Sequence, residues 1–200
     1  MNILVLGASS SIGKSITKSF SKNNKLFLLS TKCEKLKTIK KEAFALGSQD
    51  VKIIKADLSS TKIIEELISE NIDMIINIAC ASSRLKNNNI EPHRHQYYTA
   101  VDLTSPLIIL EHFLEKKHTQ GKGAQLHYIF INTILTKIQS PDYSIYYSYK
   151  ILQQEYINGF KRKYGNIFKS INVIVGTQID RTKETQKTIR DGPSYTCLWD

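Results

Sequence analysis

The chain holds three cysteines, Cys33, Cys80 and Cys197, an odd number with no CxxC spacing. That pattern suggests neither a disulfide framework nor a zinc site. No window reaches the roughly 18 uninterrupted apolar residues of a membrane span, and the first residues lack the basic flank and longer apolar stretch of a signal peptide. A cytoplasmic location is therefore expected. No internal repeat or low-complexity linker interrupts the chain, and basic and aromatic residues are nowhere interleaved as in a nucleic-acid-binding motif. The formal charge of +10 is spread along the chain as a general lysine bias, and its richest patch, Lys32 to Lys41, is broken by Leu36 and Ile39 at helical spacing. Such a patch reads as a solvated helix face. His93 and His95 lack a third ligand, so no metal site is expected.

What is present is ordinary globular composition, 41% hydrophobic and 23% charged, at a length that suits one domain with a full core. Short apolar runs alternate with amphipathic segments. The runs predict strands at 2–7, 25–30, 51–56, 73–78, 126–132 and 170–175. Between them, Ile12, Ile16 and Phe20 mark one helix face, Leu36, Ile39 and Phe44 a second, and Ile63, Ile64, Leu67 and Ile68 a third. Leu107, Leu110, Phe113 and Leu114 mark a fourth, and Ile151, Leu152, Tyr156 and Phe160 a fifth. The alternation predicts an α/β fold: a doubly wound parallel sheet of about six strands with helices on both faces and ligands at the strands' carboxyl ends. The domain is expected to span 1–181. Residues 182–200 read as a polar tail in which only Tyr195, Leu198 and Trp199 could dock apolar surface.

Residues worth testing for chemistry are those just after each strand. Ile3-Leu4-Val5-Leu6 opens into Gly7-Ala8-Ser9-Ser10-Ser11-Ile12-Gly13, a small-residue turn ahead of a helix. A dinucleotide pyrophosphate can approach backbone N–H groups at a helix N-terminus only where the loop carries little bulk. Gly13-Lys14-Ser15 also ends like a P-loop, but the glycine that motif requires five residues earlier is Ala8. After the second strand, Ser30-Thr31-Lys32 lacks the acid that many nicotinamide-binding folds place on the adenosine ribose; Lys32, with Lys14, would instead attract a 2′-phosphate and favour NADP over NAD. Asp57, in Ala56-Asp57-Leu58, could accept a bond from an adenine amino group or cap the next helix.

In Tyr146-Tyr147-Ser148-Tyr149-Lys150, Tyr146 and Lys150 stand four apart and share a helix face. An unperturbed phenol has a pKa of ~10, and a nearby ammonium lowers it. Lys150 is expected to do this to Tyr146 while holding ribose hydroxyls.

Together these residues make the chain resemble the short-chain dehydrogenase/reductase family over about residues 1 to 180. The resemblance places the family's glycine turn on Leu6-Gly7 through Gly13, so that Gly7, Ser9, Ser10, Ser11, Ile12 and Gly13 would hold the cofactor phosphates. It places Thr31 and Lys32 at the adenosine ribose and Asp57 and Leu58 at the adenine. Asn77 and Ala79 would fall in the family's Asn-Asn-Ala-Gly strand end, and Val175 and Gly176 where its Pro-Gly lines the nicotinamide. The implied catalytic residues are Thr133, thirteen positions before Tyr146, with Tyr146, Lys150 and Asp102. The resemblance implies hydride transfer between NADP, less readily NAD, and a small carbonyl or secondary alcohol, with Thr133 bonding the substrate oxygen, Tyr146 moving the proton and Asp102 organising the relay behind it. Ser11 and Cys80 replace family glycines, Asp102 replaces an asparagine, and the chain ends early. These departures leave room for a dinucleotide-binding sensor or assembly subunit, or for a nucleotide-sugar epimerase or dehydratase. The family's helices pair with copies of themselves, so a homo-oligomer is a further expectation.

Overall fold

The computed structural model describes residues 1–60, 65, 67, 69–82, 91–121, 123–139 and 141–176. Three earlier expectations lie outside them: the helix-face residues Ile63, Ile64 and Ile68, the last five residues of the proposed 1–181 domain, and the 182–200 tail with Cys197. Leu67, from the same helix face, is described and buried.

Six strands form the sheet: β1 (Asn2–Leu6), β2 (Lys25–Ser30), β3 (Asp50–Lys55), β4 (Met74–Asn77), β5 (Leu126–Thr133) and β6 (Phe168–Val175). All their pairings are parallel, in the order β3-β2-β1-β4-β5-β6. Successive β1 side chains go to opposite faces, as the two-residue period of a strand requires. Leu4 and Leu6 join one apolar layer with Phe27, Ile75 and Tyr128. Ile3 and Val5 join the other with Leu26 and Leu28. Burial on both faces is why β1, β2 and β4 read as nearly continuous apolar runs, whereas β3, at the sheet edge, alternates buried with exposed residues.

Helices α1 (Ser11–Ser19) and α2 (Cys33–Ala45) belong to the second layer, where Leu36, Ile39 and Ala43 of α2 are buried. Phe44, expected on that face, is exposed. The first layer is closed by α4 (Ser105–Gln120), through Ile109, Leu110, Phe113 and Leu114, and by α6 (Ser144–Tyr164), through Ile157 and Tyr164. Ahead of α4, α3 (Pro92–Thr99) runs into it through a π-helical turn, Ala100–Thr104. A short α5 (Leu135–Ile138) follows β5. The α6 face departs from the apolar periodicity: Leu152 and Tyr156 are 45% and 54% exposed, and the buried residues are Lys150, Gln153, Ile157 and Tyr164. At the sheet's β6 edge, Ile171 continues the cross-strand row Ile76–Ile129–Ile171 and is 61% exposed.

The turn after β1 is fixed by close approach. Gly7 has φ +84, and a Cβ there would lie 2.8 Å from the Ala79 amide nitrogen; at Gly13 it would lie 2.5 Å from the Gly7 carbonyl oxygen. Backbone atoms cannot step aside as a flexible side chain can. Gly13→Ala is therefore expected to cost about 1–3 kcal/mol, read as a lower urea midpoint at unchanged slope. An unaltered midpoint would contradict this packing.

Candidate active site

Because β1 lies between β2 and β4, the chain departs to opposite sides of it, and a crevice opens at the strands' carboxyl ends. A cleft of about 820 Å³ occupies that place. Its floor is the first turn, with Gly7, Ser9, Ser10, Ser11 and Ile12 on its surface. The N–H groups of Gly7 and Ala8 both donate to the Leu29 carbonyl at 3.1 Å, tying the turn to β2. Ser10 caps α1: its Oγ accepts the Gly13 N–H at 3.0 Å and donates to the Gly7 carbonyl at 3.0 Å. Ser11 and Ile12, the first two residues of α1, precede the helix's own hydrogen-bonding ladder, so their N–H groups and the helix dipole meet the cleft.

One end of the cleft carries Thr31 and Lys32 from the end of β2, and Asp57 and Leu58 after β3. Asp57 accepts the Ser59 N–H at 2.8 Å, a local turn bond that leaves its second oxygen for another donor. Lys14 points elsewhere, pairing with Glu42 at 2.8 Å, so of the two lysines expected to draw a 2′-phosphate, only Lys32 lines the cleft.

The other end carries Ala79 and Cys80 after β4, Tyr146 and Lys150 from α6, and Val175 from β6. One turn apart on a single helix face, Tyr146 and Lys150 border the same space. Lys150 is only 2% exposed, and its Nζ lies 4.9 Å from the centre of the Phe130 ring, whose negative face helps a buried ammonium. Thr133, at the end of β5, stands beside Tyr146 within reach of its hydroxyl. The pKa of Tyr146 is raised above that of an ordinary phenol, first by burial and then by the neighbouring Cys80 and Asp102; Thr133 opposes this without overcoming it. The lowering expected from Lys150 is not found: loss of water around the ring sets the direction, and the one opposing influence comes from Thr133. Burial likewise pushes the Cys80 thiol up to about 11, with Lys150 opposing and Asp102 reinforcing.

Several sequence-selected residues stand behind the cleft wall. Gly13 is buried under the turn. Asn77 is fully buried and donates its Nδ2 to the Tyr128 hydroxyl at 3.1 Å. Asp102, in the π-helical turn, is also fully buried, and its carboxylate accepts the N–H groups of Ala81 and Ser82, the Ser82 hydroxyl and, at 3.4 Å, the Cys80 thiol. Gly176 lies exposed just past β6. Lys35, Tyr97, Tyr98, Val101 and Ile131 line the cleft but escaped the sequence reading. The position of Lys35, one turn into α2 from the Lys32 that precedes it, could have revealed it. Tyr97 and Tyr98 carried no comparable signal, since only the path of α3 across the mouth brings them there.

The turn fits a dinucleotide on the structure's own terms: a Cβ at either glycine would strike backbone and push the turn out of place, and the helix end offers backbone donors to an anion. A model of the family described as short chain dehydrogenase matches residues 1–191. The chain belongs to the short-chain dehydrogenase family. No curated protein matches it. Among solved structures it is similar to the bulky-bulky ketone specific alcohol dehydrogenase from Comamonas testosteroni, at TM-score 0.79 and 17% identity, covering 88% of this chain and 72% of that one. It is also similar to a short-chain dehydrogenase from Sphingobium yanoikuyae in complex with NADPH, at TM-score 0.77 and 17% identity, over 88% and 71% of the two chains. An NADH-dependent reductase complexed with NAD gives TM-score 0.77 and 17% identity, over 88% and 78%. At these identities the likeness is one of fold; family membership supports an NAD(P)-dependent oxidoreductase. Among the described residues no helix of this short-chain dehydrogenase is long and apolar enough to cross a membrane.

Holding Tyr146 neutral above the unfolded phenol's ~10 contributes stability that is present below that pH and declines as pH rises past it. Ultraviolet titration of Tyr146→Phe should therefore lack a phenol that ionises after the exposed tyrosines. Loss of an early-titrating phenol instead would contradict the burial argument.

Proposed function

We propose that this short-chain dehydrogenase is an NADP-preferring oxidoreductase that interconverts a small carbonyl and a secondary alcohol in the cytoplasm. The observation that carries this reading is the meeting of Tyr146 and Lys150, on one face of α6, with the glycine turn in a single cleft. The bound nicotinamide would supply or accept the hydride. Gly7, Ser9, Ser10, Ser11 and Ile12 would hold its phosphates, above the packing that Gly13 permits. Lys32, with Thr31 and the neighbouring Lys35, would take the 2′-phosphate; Asp57 and Leu58 would border the adenine.

At the reacting end, Thr133 would orient the substrate oxygen and Tyr146 would give it a proton or take one back. A phenol kept neutral is in the form that can donate a proton. Lys150 would bond ribose hydroxyls, with Ala79, Val175 and Gly176 shaping the space around the ring and Asn77 bracing the strand end beneath it. Asp102 would act indirectly, by holding the loop after β4. Leu152 and Tyr156 on α6 and Ile108 on α4 expose apolar surface suited to a second copy of the chain.

Binding is tested by fluorescence titration. NADPH should bind more tightly than NADH, and replacing both Lys32 and Lys35 with alanine should remove that preference while sparing NADH. No response to either cofactor at millimolar levels would overturn the reading. In a screen of carbonyl compounds followed by NADPH oxidation, Tyr146→Phe should keep cofactor binding and lose turnover; undiminished turnover would remove Tyr146 from proton transfer.

A further inference from the structure

Gln153 is fully buried on α6, one turn beyond Lys150, although nothing in the chemistry above uses it. Its Nε2 donates to the main-chain carbonyl of Asp102, and its Oε1 is buried without a hydrogen-bond partner among the described residues. A carbonyl only accepts, so the amide nitrogen must face it, and the cost of the stranded Oε1 is borne for that one bond. The carbonyl is available because of Pro106. In an α-helix the Asp102 oxygen would take the N–H of residue 106, but proline has none, and the chain widens here into the π-helical turn Ala100–Thr104. The opposite end of Asp102 is equally committed, since its carboxylate gathers the Ala81 and Ser82 amides, the Ser82 hydroxyl and the Cys80 thiol.

We propose that Gln153 is a positioning residue: by taking the carbonyl that Pro106 leaves free, its amide fixes α6 against the π-helical turn and, through Asp102, holds the 80–82 loop on the cleft wall. Tyr146, Lys150, Gln153 and Ile157 form one stripe along α6. Rotation of the helix that broke the Gln153 bond would carry Tyr146 and Lys150 with it. A second tether, between the Tyr149 and Thr99 hydroxyls at 2.9 Å, joins α6 to α3 but does not reach the loop. The link to catalysis rests on the oxidoreductase reading above; the link between helix and loop does not.

The test uses Cys80 as a reporter, in the full chain with Cys33 and Cys197 changed to serine, by following its alkylation with iodoacetamide. Gln153→Met keeps the volume and drops the donor, and it should speed alkylation on the order of tenfold relative to the parent. Gln153→Glu cannot donate while ionised. Asp102 and burial favour its protonated form, Lys150 opposes this, and Cys80 and Tyr146 stay neutral. Its rate relative to the parent should therefore fall towards unity between about pH 8 and about pH 6, which loss of packing alone would not produce. Circular dichroism confirms that each variant is folded. Amide exchange in the unmodified protein gives a measure that needs no variant, and the Ala81 and Ser82 amides should be strongly protected. Parent-like Cys80 reactivity in both variants, a Gln153→Glu ratio that ignores pH, or fast exchange at Ala81 and Ser82 would each overturn the proposal. If the latch holds but neither nicotinamide cofactor binds, the functional reading fails and the positioning role stands.

Discussion

A Cβ on Gly7 would lie 2.8 Å from the amide nitrogen of Ala79, and this near-contact of two backbones sets the point at which β1 and β4 part. The floor of the cleft takes its position from there. The Gly7 and Ala8 amides lash the turn to β2, Ser10 starts α1, and Gly13 lets that helix lie close enough to present its first N–H groups at the opening. The anion-binding end is thus a consequence of backbone packing, with side chains contributing chiefly by being small.

The reacting end has a different physical basis, the burial of polar groups. The Lys150 ammonium, Gln153 amide and Asp102 carboxylate are all withdrawn from solvent, and each has a specific partner: an aromatic face, a helix carbonyl and a set of loop donors. Buried groups of this kind tolerate few alternative geometries, because losing a partner strands a polar atom away from water. That intolerance joins α6, the π-helical turn and the loop after β4 into one unit around Tyr146. Loss of water also explains the phenol's weak acidity.

Much of this was legible in the sequence because apolar periodicity reports burial directly. The strands after Met1, Asn24 and Gln125 begin within a residue of expectation, and Leu107, Leu110, Phe113 and Leu114 are buried together. Reading failed where burial and polarity part company. On α6 the apolar Leu152 and Tyr156 face outward while Lys150 and Gln153 face inward, so a rule that sends apolar residues to the core chose the wrong stripe. The partners of Asp102 lie about twenty residues upstream and those of Gln153 about fifty, and nothing in local spacing encodes such contacts. Pro106 was the available clue, since a helix running across it must leave the Asp102 carbonyl without its usual donor. Lys14 misled for a similar reason: its charge was visible, but its partner Glu42 comes from another helix.

The central claim is that one crevice seats a dinucleotide with its reactive ring beside the Tyr146 hydroxyl. A crystal structure of the protein grown with NADP tests this most directly. The account predicts the pyrophosphate against the Ser11 and Ile12 amides, the 2′-phosphate beside Lys32, and the nicotinamide between Tyr146 and Val175. Density for the cofactor outside the crevice, or within it but with the nicotinamide turned towards Asp57, would contradict the account.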